Sequence, residues 1–313
     1  MIKEIPYTNS IFEQPWWLDI VAPGQWKELL IKEYGKVIAR LPYVERNGFI
    51  SNPLYTQTLG IWMEDSLKEI KRGNEQFTRQ KALIYSLLDQ IPSNKRVSIV
   101  FDNSVKYVLP FHWAGFSIVP TFSYRIDNLN QYSLIEKQYS KNIIRDINRA
   151  KKILTIDEND SDYNALIEMQ NLTFNRQGRK NPINNKFTLK VIKSTIKAGH
   201  GKLFVARGNN GEVHAASFLL YDDRICFHLI SGQNTEYGND GAIPFLISKE
   251  IEYASKVSRI FDFEGSMVEG IEQVFKRFGG NQIINWQVMR QGFVGDLKEL
   301  IKPRLKRMLG YKI

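Results

Sequence analysis

The 313-residue chain has a single cysteine, Cys226, and only four histidines. One cysteine excludes an intramolecular disulfide and a zinc site built on a cysteine cluster. His112, His200, His214 and His228 are scattered, none at metal-ligand spacing from another histidine or from Cys226, so no metal is expected. No apolar run approaches the ~18–20 residues of a membrane span. The start, Met1-Ile2-Lys3-Glu4-Ile5-Pro6, lacks the apolar stretch of a signal peptide. These absences point to a soluble, cytoplasmic protein. The familiar catalytic signatures are missing as well: there is no G-x-S-x-G, H-E-x-x-H, Walker A or G-x-G-x-x-G motif.

Hydrophobic residues make up 43% of the chain and aromatics 12%, which excludes intrinsic disorder. At ~150 residues per domain the length fits two domains, each able to bury a core. Lysine and arginine number 43 against 33 aspartates and glutamates, a net charge of +10. A surface of that sign suits polyanions such as nucleic acid, an anionic membrane leaflet or a phosphate-bearing substrate, although it also serves solubility alone.

Gln14-Pro15-Trp16-Trp17-Leu18-Asp19, followed by Trp26, Leu29, Leu30 and Tyr34, reads as a helical beginning and a turn at Pro23-Gly24. Residues 36–44 and 49–55 are β-prone and joined by Arg46-Asn47-Gly48, and Asn-Gly between apolar runs signals a hairpin. A helix over 76–90 ends at Pro92, and strands cover 97–101 and 117–126. A polar helix is expected over about 134–152, with Ile143, Ile147 and Ala150 on one side. On another side Lys141, Arg145, Arg149 and Lys152 form a basic stripe, either a solvated face or a phosphate-facing wall. Beyond it, helices at 162–175, 186–198, about 243–254 and 270–278 alternate with strands at 202–207, 213–221, 224–231, 259–264 and 283–289. The class is therefore mixed α/β. Residues 293–310 read as a basic helix, packed on the core or lying on a membrane surface.

Asp262-Phe263-Glu264-Gly265-Ser266 is the best local candidate for chemistry. Alternation along a strand puts Asp262 and Glu264 on one face, ~6.6 Å apart. Carboxylates in a central strand must be paired, hydrogen-bonded or facing a cleft. The loop over 233–241 feeds a helix N-terminus whose free amides suit an anion, but Asp240 is also a good capping residue and would occupy those amides. Arg176-Gln177-Gly178-Arg179-Lys180 closes a helix: Gly178 suits the position past its end and the cations suit its dipole.

Trp16-Trp17-Leu18-Asp19, Pro53-Leu54-Tyr55-Thr56-Gln57-Thr58-Leu59-Gly60, Arg176-Gln177-Gly178 and Phe261-Asp262-Phe263-Glu264-Gly265-Ser266, with Phe275-Lys276-Arg277-Phe278-Gly279-Gly280 and the strand Asn285-Trp286-Gln287-Val288-Met289, together resemble FemAB-like proteins of the GNAT acyltransferase superfamily. The resemblance implies two tandem GNAT-like domains, each a mostly antiparallel mixed sheet flanked by helices, around a central cleft. The expected division is 1–130 and 131–313, the second domain ending in the basic helix. It also implies transfer of an acyl or aminoacyl group to an amine, a small molecule or a lipid-linked cell-wall precursor. The best-known members use aminoacyl-tRNA to extend peptidoglycan precursors, and GNAT relatives use acyl-CoA. No permanently bound cofactor is implied; acyl-CoA would be a co-substrate. Two departures stand out. Thr235 stands where the GNAT pyrophosphate loop has Gln or Arg before Gly238, and Asp240 replaces a small residue. The long charged helical hairpin of the staphylococcal members is absent.

For such a transfer, Asp262 or Glu264 would position or deprotonate the amine, and Tyr237 would protonate the leaving group. Amides near Gly241 or Gly265 would hold the oxyanion. Arg145, Arg149, Arg176 and Arg179 would clamp phosphates, with Gln177, His228, Gln233, Asn234 and Ser266 completing the substrate-binding set. The competing expectation is a non-catalytic basic protein that binds nucleic acid or an anionic membrane surface, the latter through the basic tail.

Overall fold

The computed structural model describes residues 4–68, 74–176, 178–265, 267 and 269–291. Gln177, Ser266 and the basic tail at 293–310 lie outside the described residues. The chain divides into two compact units, residues 4–121 together with 284–291, and residues 122–283.

The first unit contains α1 (Pro15–Val21), β1 (Trp26–Glu33), β2 (Lys36–Arg46), β3 (Phe49–Ser51), β4 (Trp62–Met63), α2 (Asp65–Lys68), α3 (Asn74–Leu88), β5 (Arg96–Val100) and α4 (Leu109–Trp113), and the start of β6 (Ser117–Ile126). Past the turn at Pro23-Gly24 the chain forms a strand. Its residues pair antiparallel with β2 from Trp26↔Val44 to Glu33↔Lys36, and that partner decides the conformation. β2 and β3 form the expected hairpin, with Asn47 (φ 51°) and Gly48 (φ 74°) both left-handed as a two-residue turn of this hand requires. β3 runs parallel to β5. Trp17, Phe12, Phe101, Phe111 and Leu87 are buried in this unit. Two charged residues are buried with them. Arg40 meets Glu28 at 2.6 Å and donates from Nη1 to the Glu13 carbonyl at 2.9 Å. The Glu13 carboxyl accepts from the Asn9 amide at 2.8 Å and from Asn9 Nδ2 at 3.0 Å, and burial pushes it up to about 7.

The second unit holds α5 (Tyr132–Glu136), α6 (Lys141–Ala150), β7 (Leu154–Asp157), α7 (Tyr163–Arg176), α8 (Asn185–Lys197), β8 (Gly201–Gly208), β9 (Val213–Tyr221), β10 (Ile225–Gln233), α9 (Ala242–Val257), β11 (Ile260–Asp262) and α10 (Glu269–Phe275). The single polar helix expected over 134–152 is two helices. Ser140 breaks it by capping α6: its Oγ accepts from Ile143 N at 3.3 Å, and its own amide donates to the Arg277 carbonyl at 2.8 Å. In the sheet, β7, β8, β9 and β10 are successively antiparallel, β10 and β11 are parallel, and β11 meets β6 antiparallel. Phe204, Leu246, Phe261, Phe263 and Phe278 are among the buried side chains of its core, with Ile143, Ile147 and Ala150 of α6. The last strand, β12 (Asn281–Arg290), runs back to the first unit, where residues 287–290 pair antiparallel with β5 from Gln287↔Val100 to Arg290↔Val97.

Candidate active site

In the second unit β10 and β11 run parallel from Ile225↔Ile260 to Phe227↔Asp262 and then part. β11 stops there because the chain turns through two left-handed residues, Glu264 (φ 60°) and Gly265 (φ 44°). A Cβ on Gly265 would come within 2.1 Å of the Phe122 carbonyl, so that turn requires glycine. β10 continues to Gln233 without β11 beside it, and an open cleft of ≈ 510 Å³ lies along this stretch.

His228 of β10 lines the cleft. Its Nδ1 meets Glu250 Oε2 of α9 at 2.7 Å, and both side chains are buried. A carboxylate only accepts, so Nδ1 carries the hydrogen, and in the neutral imidazole the lone pair is on Nε2. Nε2 has no hydrogen-bond partner among the described residues. Phe275 stands edge-on to the imidazole, ring centroids 6.1 Å apart. Branched side chains, Ile143, Ile243, Ile247, Ile271 and Val274, give the walls an apolar character. Arg176, at the end of α7, and Arg277 also line the cleft, and neither has a carboxylate partner among the described residues. Asp146 of α6 reaches the same cleft but is held by Arg149 at 3.1 Å. Thr173 Oγ1 accepts from the Gln233 amide at 3.0 Å and ties α7 to the end of β10. That approach depends on Gly232, where a Cβ would lie 2.3 Å from the Met169 backbone.

Asp262 and Glu264 lie elsewhere. Asp262 is fully buried; Oδ1 accepts from Ser123 Oγ at 2.6 Å and from the Glu264 amide at 2.8 Å, and Oδ2 pairs with Arg125 Nε at 2.6 Å. The alternation that would put Glu264 beside it ends at the left-handed turn. Glu264 is half-buried as a residue, but Oε1 is closed off from solvent without a partner among the described residues. Burial first, and then the Asp262 charge, raise its carboxyl well above the usual range. Tyr237 stacks on His214 with centroids 3.9 Å apart, and His214 Nδ1 is bound by Asp240. The two histidines thus take different carboxylates.

Of the residues singled out in the sequence, His228, Gln233 and Arg176 meet at the cleft. Arg145 and Arg149 lie on the exposed face of α6, and Arg179 is exposed beyond α7. Asn234 caps the short turn after β10 by accepting from Glu236 N at 3.0 Å. Gly241, Gly265 and the catalytic candidates Asp262, Glu264 and Tyr237 are not among the cleft-lining residues. Glu250 escaped the sequence reading, and Arg277 entered it only within the Phe275–Gly280 stretch, with no role at the site. Glu250 carries a signal in retrospect, since it is an acid on the same helix face as Ile243, Ile247 and Ala254, where an unpaired charge is costly.

Comparison with solved structures finds the same arrangement of elements. FemX superposes with a TM-score of 0.66 at 10% identity, covering 90% of this chain and 92% of that one. L-PGS from Bacillus licheniformis gives 0.56 at 11% identity over 92% and 90%. A tandem GNAT protein from the clavulanic acid biosynthesis pathway gives 0.50 at 10% over 86% and 84%. The fold is the FemAB-like tandem GNAT fold. No protein-family model and no curated protein sequence matches the chain. At the N-terminus of α9 the first amide is capped from within the chain: Asp240 Oδ1 accepts from Ala242 N at 2.8 Å. Among the described residues no three His, Cys, Asp or Glu side chains are grouped so as to hold a metal, and no helix is long and apolar enough to cross a membrane.

Proposed function

We propose that the protein transfers an acyl or aminoacyl group from an activated donor to an amine, and that the cleft along β10 is where it does so. The observation that carries this reading is the buried Glu250–His228 pair at the cleft, with no hydrogen-bond partner on Nε2 among the described residues. The amine nitrogen attacks the donor carbonyl, the C–N bond forms and the C–S bond of a thioester or C–O bond of an ester breaks. The proton lost from nitrogen passes to His228 Nε2 and from there to the leaving sulfur or oxygen. Glu250 holds the imidazole in the tautomer that can accept it. Arg176 and Arg277 supply unpaired charge for a phosphate of the donor or acceptor, and the branched walls suit an apolar portion of the substrate. Asp240 on the Ala242 amide favours an aminoacyl ester over an acyl-CoA seated on the α9 N-terminus.

The test pairs binding with turnover. Thermal midpoints are measured against short- and long-chain CoA thioesters, free CoA and aminoacyl-tRNA, because a native-state ligand must raise the midpoint. The donor that raises it is then offered with amine acceptors to wild type, His228→Gln and Glu250→Gln. The expected result is an unchanged midpoint shift with transfer reduced by about 10²-fold or more in His228→Gln. Transfer at the wild-type rate by His228→Gln overturns the assignment. A shift with thioesters alone replaces the aminoacyl donor by acyl-CoA.

A further inference from the structure

The exposed face of α6 is not used by the chemistry above. Lys141, Ile144, Arg145, Asn148, Arg149 and Lys152 line a shallow groove of ≈ 500 Å³ on it. Arg145 and Arg149 are 70% and 47% exposed. Lys141 and Lys152 have no partner among the described residues. Asp146 is the one acid between 137 and 153, and it is already shared by the two arginines. Isoleucines stand among these cations: Ile144 is 41% exposed and Ile153, just past the helix, 42%. The opposite face of α6, Ile143, Ile147 and Ala150, is buried in the core, so the helix presents its cations from a fixed base.

We infer that this face docks on a bilayer surface carrying anionic phospholipids. Lipid phosphates answer the four cations, whose aliphatic stems lie along apolar surface while their heads reach the headgroups. The exposed isoleucines reach the boundary between headgroups and acyl chains, where an apolar side chain between cations is favourable. A nucleic-acid backbone would answer the charge but gives Ile144 and Ile153 nothing, and among the described residues no aromatic side chain lines the groove to stack a base.

The test sediments the full chain with vesicles of phosphatidylcholine alone and with vesicles in which about one-third is phosphatidylglycerol, across a salt series, with duplex RNA in parallel. The full chain pellets with the anionic vesicles only, and less as salt rises. K141A/K152A, which leaves no acid unpaired, lowers the partition coefficient about thirtyfold, whereas K186A/K197A on α8 leaves it near wild type. Ile144→Ser lowers vesicle binding further at high salt and leaves RNA retention unchanged. Thermal midpoints near wild type confirm that the variants are folded. Equal losses in the two lysine pairs, wild-type binding by Ile144→Ser, or retention on RNA without sedimentation with vesicles each overturn the docking surface.

Discussion

Glu13 shows how one buried group sets a pH dependence. Its carboxyl is fully buried and pushed up to about 7, against 4.5 when free, chiefly by burial. Between those values the native protein keeps a proton that the unfolded chain has lost, so stability is full below about 4.5 and declines as pH rises to about 7. The decline is about 3 kcal/mol at most, from ~1.4 kcal/mol per unit of pKa difference. Urea denaturation of wild type and Glu13→Gln from pH 5 to 8 checks it: the gap between the two should vary with pH and level off above 7. A gap that stays constant removes Glu13 from the linkage. The site was legible at this scale only in part. Asp262 and Glu264 stood out because carboxylates in a central strand need a reason, but the reason for Asp262, Ser123 and Arg125, sits 139 and 137 residues away. His228 was recognised without Glu250 for the same cause, since a strand and the helix after it meet only in the folded sheet.

At the scale of elements, local rules carried most of the prediction. The Asn47-Gly48 turn falls where expected, and the strands at 213–221 and 224–231 and the helices at 162–175 and 186–198 lie within a residue or two of the expected bounds, because turn chemistry and periodicity are local. The strand expected over 49–55, by contrast, stops at Ser51. The misses came where a distant partner decides: β1 needs β2, and the break at Ser140 needs the Arg277 carbonyl. The close approach of α6 to the loop before α9 is another tertiary demand. Gly241 has φ 88°, and a Cβ there would lie 2.3 Å from the Asp146 carbonyl. Gly241→Ala therefore meets both strain and a clash and should cost about 2 kcal/mol or more. Ser140→Ala, which removes a single cap, should cost about 1 kcal/mol. Denaturation followed by far-ultraviolet circular dichroism measures both; equal costs would mean that the glycine contact is relieved by movement.

At the scale of the whole molecule, the first unit is built from two separate pieces of chain. Residues beyond 283 supply the neighbour of β5: Phe101 N donates to the Trp286 carbonyl at 2.8 Å, Gln287 to Ser98 Oγ at 2.9 Å and Arg290 to the Pro92 carbonyl at 2.9 Å. The six tryptophans, at 16, 17, 26, 62, 113 and 286, all belong to this unit, and none lies in 122–283. Cys226 is buried in the second unit, where burial, and then the charges of Glu250 and Asp222, raise its thiol well above the ordinary value. Fluorescence and thiol labelling therefore report on different units. A chain ending at 283 should show red-shifted tryptophan emission without denaturant while Cys226 stays protected from a thiol reagent; blue emission would mean that β5 tolerates the loss. The same connection bears on synthesis. A nascent chain has released residues 4–121 long before 284–290 leave the ribosome, so the unit begun first can close only after the one begun second is already translated. Until then β5 offers an open strand edge. A prematurely terminated product keeps that edge, which marks it for chaperones and proteases as unfinished.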